Sequence, residues 1–263
     1  ATLSPKTHVH VMGTVQFRSA VNSAAQMLTE RELPSTIPQA KPLSPGEVLG
    51  CTAPGNLASS LKDGEEAVML FVADGRFHLE AAMMANPSLR ALRYDPYSKT
   101  LTEEKYDHPQ MRALRYTSIQ KAISAKTFGI ILGTLGRQGN PAILSTLRSL
   151  LQKHDKRFFI LLLSEIFPKK LQMFSQDVDA WVQVACPRLS VDWGHAFSKP
   201  LLNSYELHVA LGEASYPTEE AAPYPMDYYK VNSGPWSNYH DSNRTRKLKY
   251  DAENNQDENK AQG

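Results

Sequence analysis

Residues 127–166 read TFGIILGTLGRQGNPAILSTLRSLLQKHDKRFFILLLSEI, and this stretch decides the fold. Thr127 to Leu135 is a nearly unbroken apolar run of strand length. Gly136-Arg137-Gln138-Gly139 is a turn. Asn140 is placed to cap a helix with Pro141 at its first position, and Ile143, Leu144, Leu147, Leu150 and Leu151 recur on one side as far as Asp155. Arg157 to Ile166 is a second apolar strand, which this pattern predicts to be buried on both faces. A continuous apolar strand, a helix and another such strand form a parallel βαβ unit.

The same grammar extends in both directions. Upstream, His8–Phe17 is a strand, Arg18–Arg31 a helix, Ser35–Ala40 a weaker strand, Ala67–Asp74 a strongly apolar strand and His78–Ala85 a short helix. Ala91–Asp95 is strand-like before an Asp95-Pro96-Tyr97 turn. Pro109–Lys126 is an amphipathic helix whose Arg and Lys read as a solvated face. Downstream, Pro168–Phe174 is a short helix, Ala180–Cys186 a strand and Pro200–Leu211 a last helix. Gly13-Thr14 and Gly133-Thr134 end corresponding strands, which suggests two copies of one unit. The expectation is an α/β protein of two homologous domains with parallel sheets flanked by helices. Residues 1–120 carry Cys51, residues 121–212 carry Cys186, and residues 213–263 form an arm and a disordered tail rich in Pro, Tyr, Asn and Asp.

Composition narrows the function. The 263 residues carry a formal net charge of +2, so there is no electrostatic case for nucleic acid or an anionic membrane. No apolar run reaches the roughly 18 residues that span a bilayer. The first residues lack the apolar core of a secretory signal. Without such a signal a reducing, cytoplasmic setting is expected, and there the 2 cysteines are thiols or ligands and not a disulfide. The chain lacks an initiator Met and starts almost at a strand, which reads as a fragment of a longer protein.

Ligands of open α/β sheets bind beyond the carboxyl ends of the strands. Cys186 ends a strand there, although an isolated cysteine in a strand also serves as a small apolar filler. Cys51 lies among Pro and Gly, where a thiolate can reach a metal or act as a nucleophile. Neither belongs to a CxxC pair. The turn at 133–139 can hold an anion on its backbone N–H groups with Arg137 assisting, or be an ordinary tight turn. It lacks the Lys-Ser/Thr ending of a P-loop. Asp74, Arg76, His78 and Glu80 form a charged cluster, with an Asp capping the next helix as its structural reading. The 8 histidines lack zinc spacing, and no Gly-x-Ser-x-Gly elbow is present.

Six blocks in order carry a resemblance: LSPGEVLGCTAP (43–54), ADGRFHLEAAMMANP (73–87), YDPYSK (94–99), TFGIILGTLGRQGNP (127–141), LLLSEIFPKKL (161–171) and VQVACPRLSVDWG (182–194). Together, from about His8 to Trp236, the chain resembles the diphthamide biosynthesis enzymes, the 2-(3-amino-3-carboxypropyl)histidine synthases. The presence of Cys51 is similar to the pattern of the first subunit and not the second. The resemblance implies a non-standard radical S-adenosylmethionine (SAM) enzyme in which three homologous domains each give one cysteine to a [4Fe-4S] cluster. Cys51 and Cys186 would be the second and third of these metal ligands, and the domain with the first is expected to be missing. It implies transfer of the 3-amino-3-carboxypropyl group of SAM to a histidine of translation elongation factor 2. It further implies a heterodimer with subunit 2 and a small metal-binding electron-donor protein. Gly136, Arg137, Gln138 and Gly139 are the expected SAM contacts, with Glu165 and Asp192 beside them. The alternative is a non-catalytic interaction fragment or partner subunit, because one ligand is absent. A third reading treats 133–139 as the phosphate loop of a nucleotide-binding enzyme.

Overall fold

The computed structural model describes residues 4, 6–61, 66–136, 138–219 and 221–240. The chain forms two compact units, Ala1–His108 with Pro217–Val231, and Pro109–Tyr216 with Asn232–Gly263. The expected boundary at 120/121 falls within a helix of the second unit. The 213–263 segment is divided between the units, and the part expected to be disordered lies, beyond residue 240, outside the described residues.

The first unit contains β1 (Thr7–Gly13), α1 (Arg18–Glu30), β2 (Ser35–Thr36), β3 (Glu66–Val72), α2 (Phe77–Ala85), β4 (Arg90–Asp95) and β5 (Thr100–Glu104). The sheet order is β2-β1-β3-β4-β5. β1 and β3 run parallel in register from Thr7↔Glu66 to Gly13↔Val72. Val9, Val11, Met12, Val68, Met69 and Phe71 are buried, as central parallel strands covered on both faces require. β5 departs from the expected parallel sheet, because it pairs antiparallel with β4. Its sequence TLTEE lacks the apolar run of a buried strand, and Arg90–Glu103 and Arg93–Glu104 ion pairs line this edge.

The second unit contains α3 (His108–Ile123), β6 (Thr127–Gly133), α4 (Pro141–Lys153), β7 (Arg157–Leu163), α5 (Pro168–Gln172), β8 (Ala180–Val184), α6 (Pro187–Trp193), β9 (Leu201–Leu202) and α7 (Ser204–Ala210). The order β7-β6-β8-β9 repeats that of the first four strands of the other sheet, and all its pairs are parallel. Alternation divides the core between the two sheet faces. Phe128, Ile130 and Val182 pack with Ile143, Leu147, Leu151 and Leu207, while Ile131 and Trp181 pack with Leu171, Phe159 and Phe174.

Two expectations are corrected here. β7 is an edge strand and not one buried on both faces; Leu162 is 63% exposed. Its apolar run is that of a central strand, and strand order cannot be read from one strand. The basic face of α3 is not simply solvated, because Arg112 and Arg115 are buried. Arg115 donates through Nε and Nη2 to the two carboxylate oxygens of Glu206, each at 2.6 Å, and through Nη2 to the Leu201 carbonyl at 2.8 Å. Its partner lies 91 residues away, beyond the reach of helical periodicity.

Candidate functional site

A sheet of order second-first-third-fourth has a topological switch point between its first and third strands, where the connections leave in opposite directions. In the second unit this point lies between the carboxyl ends of β6 and β8. β6 ends at Gly133, and a Cβ added there would sit 2.7 Å from the Ala185 Cβ. Cys186 follows Ala185 and occupies the N-cap of α6, with Pro187 at the first helical position. The proline both stops the strand and starts the helix, because its fixed φ suits the first turn and its missing N–H would be unbonded there anyway. The thiol is half-buried at this edge.

Gln183 fixes the turn. Its Nε2 donates to the Cys186 carbonyl at 2.9 Å and to Ser190 Oγ at 3.1 Å, tying strand exit to helix. The Leu189 N–H donates to the same carbonyl at 3.0 Å. Burial pushes the Cys186 thiol up, and the N–H groups of Arg188 and Leu189 with the Arg188 charge offset that only in part. The thiol is therefore held neutral until something replaces the lost solvation of the thiolate.

Of the expected SAM contacts, Gly136 and Gln138 are exposed in the loop after β6, and Gly136 has φ +62°. Gly139 packs so closely on Gly133 that a Cβ would overlap the Gly133 carbonyl oxygen, so the loop closes on its own base. Arg137 lies outside the described residues. The loop ends at Asn140, whose Oδ1 accepts from the Ala142 N–H at 2.9 Å and whose Nδ2 donates to Asn238 Oδ1. Glu165 is exposed after β7. Asp192 accepts from Arg188 Nε at 2.9 and 3.0 Å within α6.

In the first unit the switch point lies between β1 and β3. Cys51 belongs to the long connection from β2 to β3, which returns to this point. Glu47 bridges Gly13, and the Val48 N–H donates to the Gly13 carbonyl at 3.1 Å. Gly50 packs on the ring of Phe77, the first residue of α2, where a Cβ would overlap the ring. Cys51 is thus held above the ends of β1 and β3, half-buried like Cys186. Thr52 Oγ1 lies 3.8 Å from Cys51 Sγ and donates to it. The cluster at 74–80 has a structural role: Arg76 pairs with Glu80 at 2.8 Å and Glu104 at 3.4 Å, and no side chain caps α2.

Sequence reasoning passed over Gln183, Ser190 and Thr52. Gln183 was visible as the one polar residue in a β-branched run; the other two carry no signal of their own.

Comparison with known proteins places this geometry. The family model described as "Putative diphthamide synthesis protein" matches residues 1–221. The chain belongs to the diphthamide synthesis protein family. It is 52% identical over 244 residues to the 2-(3-amino-3-carboxypropyl)histidine synthase subunit 1 of Homo sapiens, covering 92% of this chain and 53% of that one. The subunit 1 of Dictyostelium discoideum is 49% identical over 232 residues, covering 87% and 48%. The chain therefore spans about half the length of the curated relatives it matches. Among solved structures, Dph2 from Pyrococcus horikoshii matches with TM-score 0.62 and 26% identity over 83% of this chain and 62% of that one. Dph2 from Pyrococcus horikoshii with a 4Fe-4S cluster matches with TM-score 0.61 and 26% identity over 84% and 61%.

The donor set can be judged against such a cluster. Thiolates are the soft ligands that iron–sulfur clusters take. Each unit offers one thiol at its switch point. Among the described residues no group of three His, Cys, Asp or Glu side chains converges to hold a metal. Each unit fits as the source of one ligand and neither as a complete site.

Proposed function

We propose that this chain is the part of a 3-amino-3-carboxypropyl transferase that supplies two of the three cysteine ligands of a [4Fe-4S] cluster, Cys51 and Cys186. One observation carries the reading: each unit places its lone, half-buried cysteine at the switch point of its own sheet, where open α/β folds bind ligands. The relatives' names and the cluster of the Pyrococcus protein agree with it. The donor is SAM and the acceptor a histidine of translation elongation factor 2, the first step of diphthamide biosynthesis. Subunit 2, a small metal-binding electron donor and a cytoplasmic location complete the assignment. When bound, the cluster would supply the electron that cleaves the sulfur–carbon bond of SAM.

The protein's own residues do the rest. Gln183 and the start of α6 aim Cys186, and the Gly50–Phe77 contact with Thr52 aims Cys51. The backbone N–H groups of Gly136, Gln138 and Gly139, in the loop after β6, are the candidates to take a carboxylate of the donor, with Arg137 as the charge partner the sequence suggests. Glu165, after β7, and Asp192, in α6, are the further candidates for contact with the donor. No helix among the described residues is long and apolar enough to cross a membrane.

The test is transfer of the labelled group to elongation factor 2 by a subunit of full relative length, with its partner, reductant and SAM. Cys51→Ser and Cys186→Ser should each abolish transfer. Transfer undiminished in either variant would overturn the assignment.

A further inference from the structure

The segment Pro217–Val231 belongs to the first unit although in sequence it lies between the two parts of the second unit, Pro109–Tyr216 and Asn232–Gly263. Its described residues form no helix or strand and its sequence shows no apolar periodicity, yet Tyr224, Met226 and Tyr228 are buried. Its backbone is fastened at successive points around Cys51. The Tyr224 N–H donates to the Met84 carbonyl at 3.0 Å, anchoring the segment on α2. The Ala53 N–H donates to the Met226 carbonyl at 2.9 Å, and Thr52 bridges Asp227. The Tyr228 N–H reaches the Cys51 carbonyl at 3.4 Å. The Tyr229 N–H donates to Thr52 Oγ1 at 2.9 Å, and that hydroxyl donates in turn to Cys51 Sγ. The Val231 N–H closes the strap on the Lys41 carbonyl at 2.9 Å.

Apart from the strap, the turn at 49–52 is tied from outside on either side of Cys51, by the Val48 N–H to the Gly13 carbonyl, by Gly50 against the Phe77 ring and by Asn86 Nδ2 to the Pro54 carbonyl. Within itself it has the Leu49 N–H to Thr52 carbonyl bond at 2.9 Å and its weaker return at 3.3 Å. Pro and Gly surround it, and the segment runs from Ala40 to Asn56 without helix or strand. A loop of that kind opens locally at little cost unless something outside it ties it down. The backbone of the cysteine itself, at 51, and of the residue just beyond Thr52, at 53, is bonded to the strap, and the thiol is reached through Thr52.

We propose that residues 224–229 are a positioning strap that holds the Cys51 thiol in its ligand orientation, with Thr52 as the relay between the Tyr229 N–H and the sulfur. The strap acts through Cys51 and touches no substrate. The idea rests on reading Cys51 as a ligand for its purpose, but its geometry and its test do not involve metal.

The test is the rate of Cys51 alkylation by iodoacetamide in the metal-free chain, read by mass spectrometry, with Cys186 of the same molecule as internal reference. Tyr229→Pro deletes the N–H that bonds Thr52, and Thr52→Val removes the hydroxyl while keeping the shape. Both should raise Cys51 alkylation about tenfold or more relative to Cys186, because the loop then opens locally at little cost. Amide exchange of β1 should stay as in the wild type, which shows that the unit remains folded. If Tyr229→Pro unfolds the unit, as loss of β1 protection would show, Thr52→Val decides alone. Cys51 reactivity unchanged in a folded Thr52→Val variant, or unchanged while the amides of 224–229 exchange freely, overturns the strap. Neither result bears on whether iron binds, so failure of the strap and failure of the cluster assignment are separate outcomes.

Discussion

Gln183→Met tests how the Cys186 turn is held. The wild-type side chain is buried and its Nε2 makes two hydrogen bonds, to the Cys186 carbonyl and to Ser190 Oγ. Two such bonds contribute about 1 kcal/mol each net. Ser190 is fully buried, so leaving its hydroxyl without this donor adds about 1–2 kcal/mol. The Cys186 carbonyl keeps the Leu189 N–H and adds little. Against this, Gln183 Oε1 is buried with no hydrogen-bond partner among the described residues, and removing it returns about 1 kcal/mol. The expected net loss is about 2–3 kcal/mol, borne by the second unit. Gln183→Glu should cost more, since an acceptor then faces the Cys186 carbonyl and a charge is buried. Urea unfolding followed by tryptophan fluorescence reads this directly, because all 3 tryptophans, Trp181, Trp193 and Trp236, belong to the second unit. The midpoint should fall with the slope unchanged. A change below about 0.5 kcal/mol, within the range of neutral surface substitutions, would refute the claim that Gln183 holds the turn.

Three further outcomes are expected. Arg115→Met or Glu206→Met alone should cost the second unit about 3–5 kcal/mol, and the double variant should recover most of it, because each single change strands a buried charge; tryptophan-monitored urea curves measure all three. His10 is buried, and burial first, then neighbouring His8, lowers its pKa from 6.5 to about 4, against a smaller opposing effect of the Leu57 backbone. The unfolded chain therefore takes up the proton first as pH falls, and the first unit should lose about 3 kcal/mol between its ordinary and its folded pKa. Above that window the stability is fully present. Proton NMR titration of the His10 ring and amide exchange of β1 check this, and His10→Gln should flatten the slope. Leu162→Lys on the exposed edge strand β7 should reduce concentration-dependent association, seen by light scattering, with under about 0.5 kcal/mol lost in stability.

The parts of this fold that were legible in the sequence are those whose signal is local. β1, β3, β6, β7 and β8 are apolar runs bounded by Gly, Pro or Asp, and α4 carries its own cap in Asn140-Pro141. β5 and β9 were not foreseen, because TLTEE is polar and alternating and Leu201–Leu202 is only a pair of residues. α6 was hidden because Pro187 reads equally as the end of a strand and the first residue of a helix. Which strand lies at an edge, and which arginine of α3 is buried, depend on partners far along the chain.

The candidate site was legible unevenly for the same reason. The parallel sheet puts Cys186 at a carboxyl edge from the sequence alone, whereas Cys51 reaches its switch point only through the folding of a long connection over Gly13 and Phe77. Nothing in residues 217–231 announces that they return to the first unit.

The central claim is that Cys51 and Cys186 serve one cluster. Anaerobic reconstitution with iron and sulfide tests it most directly, in the chain extended to the length of its curated relatives, with bound iron and electron paramagnetic resonance as the readings. The wild type should hold about four iron atoms per chain. Cys51→Ala and Cys186→Ala should each lose the cluster signal. A cluster of unchanged iron content and spectrum in either variant would contradict the account.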